Sequence, residues 1–258
     1  MMAEQRMMEE HSALIVGCGY VGLELTRQLA ADQWRVWGMR RSPDAAEAIR
    51  QAGAEPIIGD IRSADKVLPL PPVDFAASLL APGHADDYQD TYVQGAEALV
   101  RLFKEKKLKR LVWVSSTSVY GRNDGGWVDE ETPPEPATDR AWLLLKAEEI
   151  ILRSRLPALV LRLGGIYGPG RMRKPADPPA QNEAVVYMNS VHVVDAAAMI
   201  RHLFQHGQPG EIYLGVDGRP LARRPDAQTD RRTVSNKRCS NAKITALGYR
   251  FQFPARLP

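Results

Sequence analysis

Ala13-Leu14-Ile15-Val16-Gly17-Cys18-Gly19-Tyr20-Val21-Gly22 decides the reading of this chain. Four apolar residues run directly into Gly17-x-Gly19-x-x-Gly22, and the residues after Tyr20 (VGLELTRQLA) have the pattern of a helix. Glycines at these spacings permit a tight strand-to-helix turn and let the backbone approach a pyrophosphate closely. The third lets the helix pack against the sheet, while the helix N-terminus presents N–H donors and the positive end of its dipole. Strand, fingerprint and helix occur in the order that dinucleotide binding requires; a ligand-free glycine turn is the other reading. Gly17, Gly19, Tyr20, Val21 and Gly22 are therefore the first candidate cofactor residues.

Outward from this stretch, apolar runs alternate with amphipathic segments. Strands are predicted at 34–39, 56–58, 73–80, 110–115, 158–163 and 211–216. Helices are predicted at 43–52, 86–106, 139–154 and 194–206. This rhythm implies parallel pairing through right-handed crossovers, an α/β fold with a Rossmann-type doubly wound sheet. Ligands of such sheets bind beyond the carboxyl ends of the strands, so residues just after each strand matter most. The expected organisation is a leader at 1–12, a nucleotide-binding core at 13–168 completed by about 189–216, and a small substrate lobe from 169–188 and 217–258.

Composition narrows the partners. The 258 residues include 44% hydrophobic and 25% charged residues, ordinary for a soluble globular chain. No run approaches the roughly 20 apolar residues needed to cross a membrane, and residues 1–11 lack the apolar core of a secretory signal. The two cysteines, Cys18 and Cys239, are expected to be free thiols in a reducing cytoplasm, since a bridge from Cys18 would obstruct the glycine turn. Net charge is +3, from 34 basic and 31 acidic residues, with a late basic cluster at Arg223, Arg224, Arg231, Arg232, Lys237 and Arg238. Without aromatic interleaving, that cluster points to a solvated loop or an anionic-substrate surface rather than nucleic acid.

The second strand bears on the choice of cofactor. NAD-binding sites place an acid about 20 residues beyond the fingerprint, on the ribose 2′-hydroxyl. Here that region reads Gly38-Met39-Arg40-Arg41-Ser42. Two guanidinium groups and a hydroxyl can hold a 2′-phosphate that a carboxylate would repel, so NADP(H) is expected over NAD(H). A basic turn that solvates the next helix is the alternative.

Four segments resemble the extended short-chain dehydrogenase/reductases, the NAD-dependent epimerase/dehydratase group, with features of its atypical branch. Val114-Ser115-Ser116-Thr117-Ser118-Val119-Tyr120-Gly121 is similar to that group's SSxxVYG segment. Leu161-Arg162-Leu163-Gly164-Gly165-Ile166-Tyr167-Gly168-Pro169-Gly170 resembles its LRxxxxYGPG signature, and Asn189 to Asp195 its NxIHVxD segment. Asp60-Ile61 matches the pair that flanks the adenine ring in the family, and the tail from Ser235 to Lys243 looks like the atypical branch. The resemblance implies an oxidoreductase or epimerase/dehydratase acting on a small polar, sugar-like substrate. It also implies a homodimer through the helices at 86–106 and 139–154.

The same resemblance implies a catalytic tetrad of Asn, Ser or Thr, Tyr and Lys. Counting from the motifs puts Tyr92 at the Asn position, Ser116 at the hydroxyl position, and Trp142 and Lys146 at the Tyr and Lys positions. Indole cannot serve as an acid near neutral pH, so the proton donor would have to be another group, with Tyr120, Tyr92, His84 and Tyr167 as candidates. Ser116 would orient a substrate oxygen or cap its local turn. Lys146 would bind the cofactor's ribose or be a surface lysine. A non-catalytic dinucleotide sensor is the competing reading. His192 is expected to be structural, and His202 with His206 too few for a metal site.

Overall fold

In the computed structural model, residues 11–63, 70–83, 87–172, 184–224 and 235–254 are described. The element order opens with β1 (Ser12–Val16), α1 (Tyr20–Ala31), β2 (Arg35–Arg40), α2 (Ala46–Gln51), β3 (Glu55–Ile58) and β4 (Phe75–Ser78). It continues with α3 (Gly95–Phe103), β5 (Arg110–Ser116), β6 (Trp127–Val128), α4 (Asp139–Arg153), β7 (Ala158–Leu163) and β8 (Gly165–Tyr167). Then come β9 (Val186–Met188), β10 (Ser190–His192), α5 (Val193–His206), β11 (Ile212–Gly215), β12 (Leu221–Arg223), β13 (Arg238–Cys239) and α6 (Ala242–Ala246).

Seven strands form one parallel sheet in the order β3-β2-β1-β4-β5-β7-β11. The order reverses between β1 and β4, so their carboxyl ends diverge into a crevice, the place where doubly wound sheets bind ligands. The strands are apolar on both faces because helices cover both. One face packs on α1 and α5 through Leu25, Leu29, Met199, Leu203 and Phe204. The other packs on α3 and α4 through Leu99, Phe103, Ala147 and Ile151. Gln28 on α1 donates to the Val194 carbonyl at 3.1 Å, and Arg201 pairs with Asp32 at 2.6 Å, tying the C-terminal turn of α1 to α5.

Three expectations are corrected. The long helix predicted over 86–106 is broken in kind: a π-helical turn, Gln89–Gln94, precedes a shorter α3. The segment after 217 is not confined to a lobe. Ile244 and Tyr249 enter the core cluster shared by α1 and α5, while β12 pairs with β9 and β13 with β6. The late basic cluster is not one surface. Lys237 is buried, Arg238 stacks on Trp127 and Tyr187 at 5.1 and 5.0 Å, and residues 231 and 232 lie outside the described set.

Both cysteines are free and buried, and burial pushes the Cys18 thiol above its usual range. No helix among the described residues is long and apolar enough to cross a membrane.

Candidate functional site

The glycine turn is fixed by its neighbours. Gly17 has φ +80°, and a Cβ there would fall 2.5 Å from the Leu79 carbonyl oxygen, so only glycine fits. Leu79 in turn donates to the Val16 carbonyl at 2.7 Å, locking the loop after β4 against the loop after β1. At Gly19 a Cβ would fall 2.9 Å from Arg40 Nη1 and 3.8 Å from the Gly17 carbonyl oxygen, and that same Nη1 donates to the Cys18 carbonyl at 3.5 Å. No side chain caps the N-terminus of α1, so its first N–H groups stay available to an anion.

This turn forms the floor of a cleft of about 570 Å³. Gly17, Gly19, Tyr20, Val21, Gly22, Arg40, Arg41, Ser42, Asp60, Ile61, Tyr92 and Ser116 all line it, which brings together every sequence-predicted cofactor residue except Lys146. Arg41 reaches toward the β4 loop, its Nη2 close to the space above Gly83. Ser42 Oγ is 3.5 Å from Asp44, the first acid beyond β2.

Asp60 acts differently from its predicted role of simply flanking a ring. Its carboxylate accepts from Nε and Nη2 of Arg62 at 3.1 and 2.7 Å, and from the Arg62 backbone N–H at 2.9 Å. Those bonds hold its carboxyl below the usual range. Arg62 also reaches Asp90 at 3.1 Å, so Asp60 positions a third guanidinium in the cleft wall. Arg171 lines the cleft as well. Sequence reading missed both. Arg62 had a local signal, two residues after an acid in a turn, whereas Arg171 had none beyond standing after a glycine-proline loop.

At the far end of the cleft, Ser116 begins a turn and its Oγ accepts from the Ser118 N–H at 3.1 Å. It therefore both caps and lines, and its own O–H can still donate into the cleft. Tyr92 stands in the π-helical turn 5.4 Å from the ring of Tyr88, with no hydrogen bond to its hydroxyl among the described residues. Burial, with a smaller contribution from Tyr88, pushes its pKa up to about 12, so the phenol keeps its proton.

The rest of the expected tetrad is not assembled. Trp142 is 58% exposed and Lys146 is exposed on the same outer face of α4; neither lines the cleft. The inward face of that helix is Ala141, Leu144, Ala147, Glu148 and Ile151 instead. Tyr120 is likewise unsuited to proton transfer. It is buried, donates to the Asp129 carbonyl at 2.8 Å and accepts from Arg162 Nη1 at 2.6 Å, and burial pushes it up to about 12. Arg162 also forks onto Glu148 at 2.7 and 3.2 Å, and Glu148 accepts from Ser115 at 2.5 Å. Burial works against the Arg162 charge, yet Glu148 and Tyr120 outweigh it and raise its pKa.

His84 lies outside the described residues. Tyr167 is buried with its ring edge-on to His192 at 5.1 Å. His192 caps α5, its Nδ1 accepting from the Val194 N–H at 3.3 Å, and burial lowers its pKa. His202 Nε2 is 3.2 Å from the Leu247 carbonyl, and no cluster of metal ligands occurs among the described residues.

Fold and cleft together define a dinucleotide-binding protein of the Rossmann type. A model of the family described as NAD(P)H-binding matches residues 17–205, and the chain belongs to that family. Protein YeeZ of Escherichia coli (strain K12) is 30% identical over 215 residues, covering 77% of this chain and 75% of YeeZ. A Stigmatella aurantiaca 4-hydroxy-2-methyl-3-oxo-4-farnesyl-3,4-dihydroquinoline-1-oxide ketoreductase is 26% identical over 80% of this chain and 67% of its own. The dTDP-glucose 4,6-dehydratase of Bacillus anthracis, solved with NAD, has the same fold, with a TM-score of 0.77 at 17% identity over 94% of this chain and 92% of that one. The structural neighbours thus fall in the NAD-dependent epimerase/dehydratase group, and the cleft residues fit a dinucleotide: an uncapped helix N-terminus below, the Arg40 guanidinium beside Gly19 and further guanidinium groups on the walls.

Proposed function

We propose that the protein is an NADP(H)-dependent oxidoreductase acting on a carbonyl or hydroxyl of a small polar substrate. One observation carries this reading: Arg40, Arg41 and Ser42 border the same cleft that Ser116 and Tyr92 border at its other end. The first group suits a 2′-phosphate through charge-assisted hydrogen bonds, and no carboxylate from β2 opposes it. The ketoreductase relative lends weight to carbonyl chemistry.

When bound, the nicotinamide would supply or accept the hydride. Within this chain, the Ser116 hydroxyl would hold the substrate oxygen, and the protonated Tyr92 phenol would donate a second hydrogen bond to it. The Arg162–Glu148–Ser115 network lies directly beneath, fixing the strand that ends at Ser116. Side-by-side fluorescence titration with NADPH and NADH tests the cofactor assignment. Tight, NADPH-selective binding is expected; equal affinity would remove the 2′-phosphate reading, and no binding would remove the function.

A second reading has its own observation. Trp142 and Lys146 face away from the cleft and Tyr120 is fully engaged, so none of the family's usual proton-transfer groups is in place. A sensor that binds NADP(H) without turnover would need none of them. Tight binding with no NADPH oxidation across a panel of aldehydes and ketones favours the sensor, whereas turnover abolished in Ser116→Ala favours the enzyme.

A further inference from the structure

The turn formed by Gly168, Pro169, Gly170 and Arg171 is built around the first residue of α1. The Tyr20 hydroxyl donates to the Pro169 carbonyl at 2.9 Å across 149 residues of sequence. Gly168 makes that docking feasible: a Cβ there would lie 2.8 Å from the Tyr20 oxygen, and its φ of +146° disfavours other residues. The turn closes by a backbone bond from the Arg171 N–H to the Gly168 carbonyl at 2.9 Å. Arg171 then lays its guanidinium over the Tyr20 ring, 4.4 Å from the centroid, and lines the cleft. It pairs with no carboxylate among the described residues. Stacking on a ring face leaves a guanidinium's five N–H donors free for an anion. Tyr20 opens the helix whose N-terminus faces the cleft, so those donors stand beside the position of the dinucleotide's diphosphate.

We propose that Arg171, held on Tyr20, closes over the diphosphate of the bound dinucleotide, making the 168–171 turn a clasp that slows nucleotide release. This rests on the dinucleotide assignment but differs from the 2′-phosphate reading, because the diphosphate is common to NADPH, NADH and ADP. A substrate phosphate is the other anion that Arg171 could meet, and the two sources give different results.

The test measures affinity and dissociation rate of the full-length chain for NADPH, NADH, ADP and adenosine, in wild type, Arg171→Ala and Tyr20→Phe. Arg171→Ala is expected to weaken NADPH, NADH and ADP alike, about tenfold, through faster release, since a hydrogen bond to a charged group is worth about that much. Adenosine should bind unchanged. Tyr20→Phe, which keeps the ring but loses the bond to Pro169, should speed release by a smaller factor. Unaltered affinity and release in Arg171→Ala would overturn the clasp and leave Arg171 to a substrate anion. Loss confined to NADPH would overturn it by moving Arg171 to the 2′-phosphate. Failure of wild type to bind any nucleotide would overturn the cofactor assignment and the clasp with it.

Discussion

Two groups of arginines in this molecule are handled in opposite ways. Arg162 is 2% exposed and spends its donors on Glu148 and Tyr120, with Ser115 and the Asp129 carbonyl completing the network. Arg40, Arg41 and Arg171 sit on the walls of the cleft, and none forms an ion pair among the described residues. A buried charge must be matched or it costs several kcal/mol, whereas a charge kept for a ligand must retain unused donors. The contrast separates the arginine that holds β5, β7 and α4 together from those left without a carboxylate partner on the cleft wall among the described residues. Arg62 is intermediate, anchored by Asp60 and Asp90 yet still on the cleft wall.

The comparison breaks hardest at the buried pair. Glu148→Leu or Arg162→Met alone should destabilise the fold by about 3–5 kcal/mol, because each strands an opposite charge in the interior. The double replacement should recover much of that loss, as read by urea denaturation. Single variants within 1 kcal/mol of wild type would mean that the network is not holding charge in a dry interior.

At the open end the pattern should reverse. Arg40→Ala with Arg41→Ala should leave the denaturation midpoint unchanged and weaken NADPH binding about tenfold or more, with little effect on NADH. Equal losses for both nucleotides would turn the pair into a general electrostatic wall. A third measurement concerns His192, whose depressed pKa means that folding favours the neutral ring. Its stabilising contribution is complete above the ordinary histidine value and fades as pH falls through the folded value. Stability should therefore drop on acidification below roughly pH 6.5 as the cap on α5 is protonated. His192→Asn, which keeps a capping oxygen, should lack that part of the pH dependence. The smallest effect is expected at Trp142. Trp142→Tyr should change neither stability beyond about 0.5 kcal/mol nor nucleotide affinity, since the side chain is out of the cleft; a gain of activity would return this position to the catalytic site.

All seven strands of the main sheet were legible from their apolar runs, and their parallel pairing followed from the intervening helices. The glycine turn and the arginines after β2 were legible because their chemistry is local: spacing alone places them. The short strands β6, β8, β9, β10, β12 and β13 were not, since two or three residues carry no period. The π-helical turn was equally invisible, because 89–94 and 95–103 share one helical pattern. The outward placement of Trp142 and Lys146 was not decided by the sequence for a different reason. The stripe at 141, 144, 148 and 151 marks the buried face of α4, but it includes Glu148, which reads as a surface residue until Arg162 supplies its partner. Likewise, nothing near Tyr120 in the sequence says that its hydroxyl is taken by groups 9 and 42 residues away.

Asp195, fully buried at the start of α5, accepts from the Tyr249 hydroxyl at 2.7 Å and from the backbone N–H groups of Gln252 and Phe253, both at 2.8 Å. Those partners come more than fifty residues later in the chain. Without residues 249–253 this buried carboxylate would lose all three of those donors. The residues that match Asp195 thus tie a helix that packs directly against α1 to the far end of the described chain, so the cleft's foundation depends on residues 249–253.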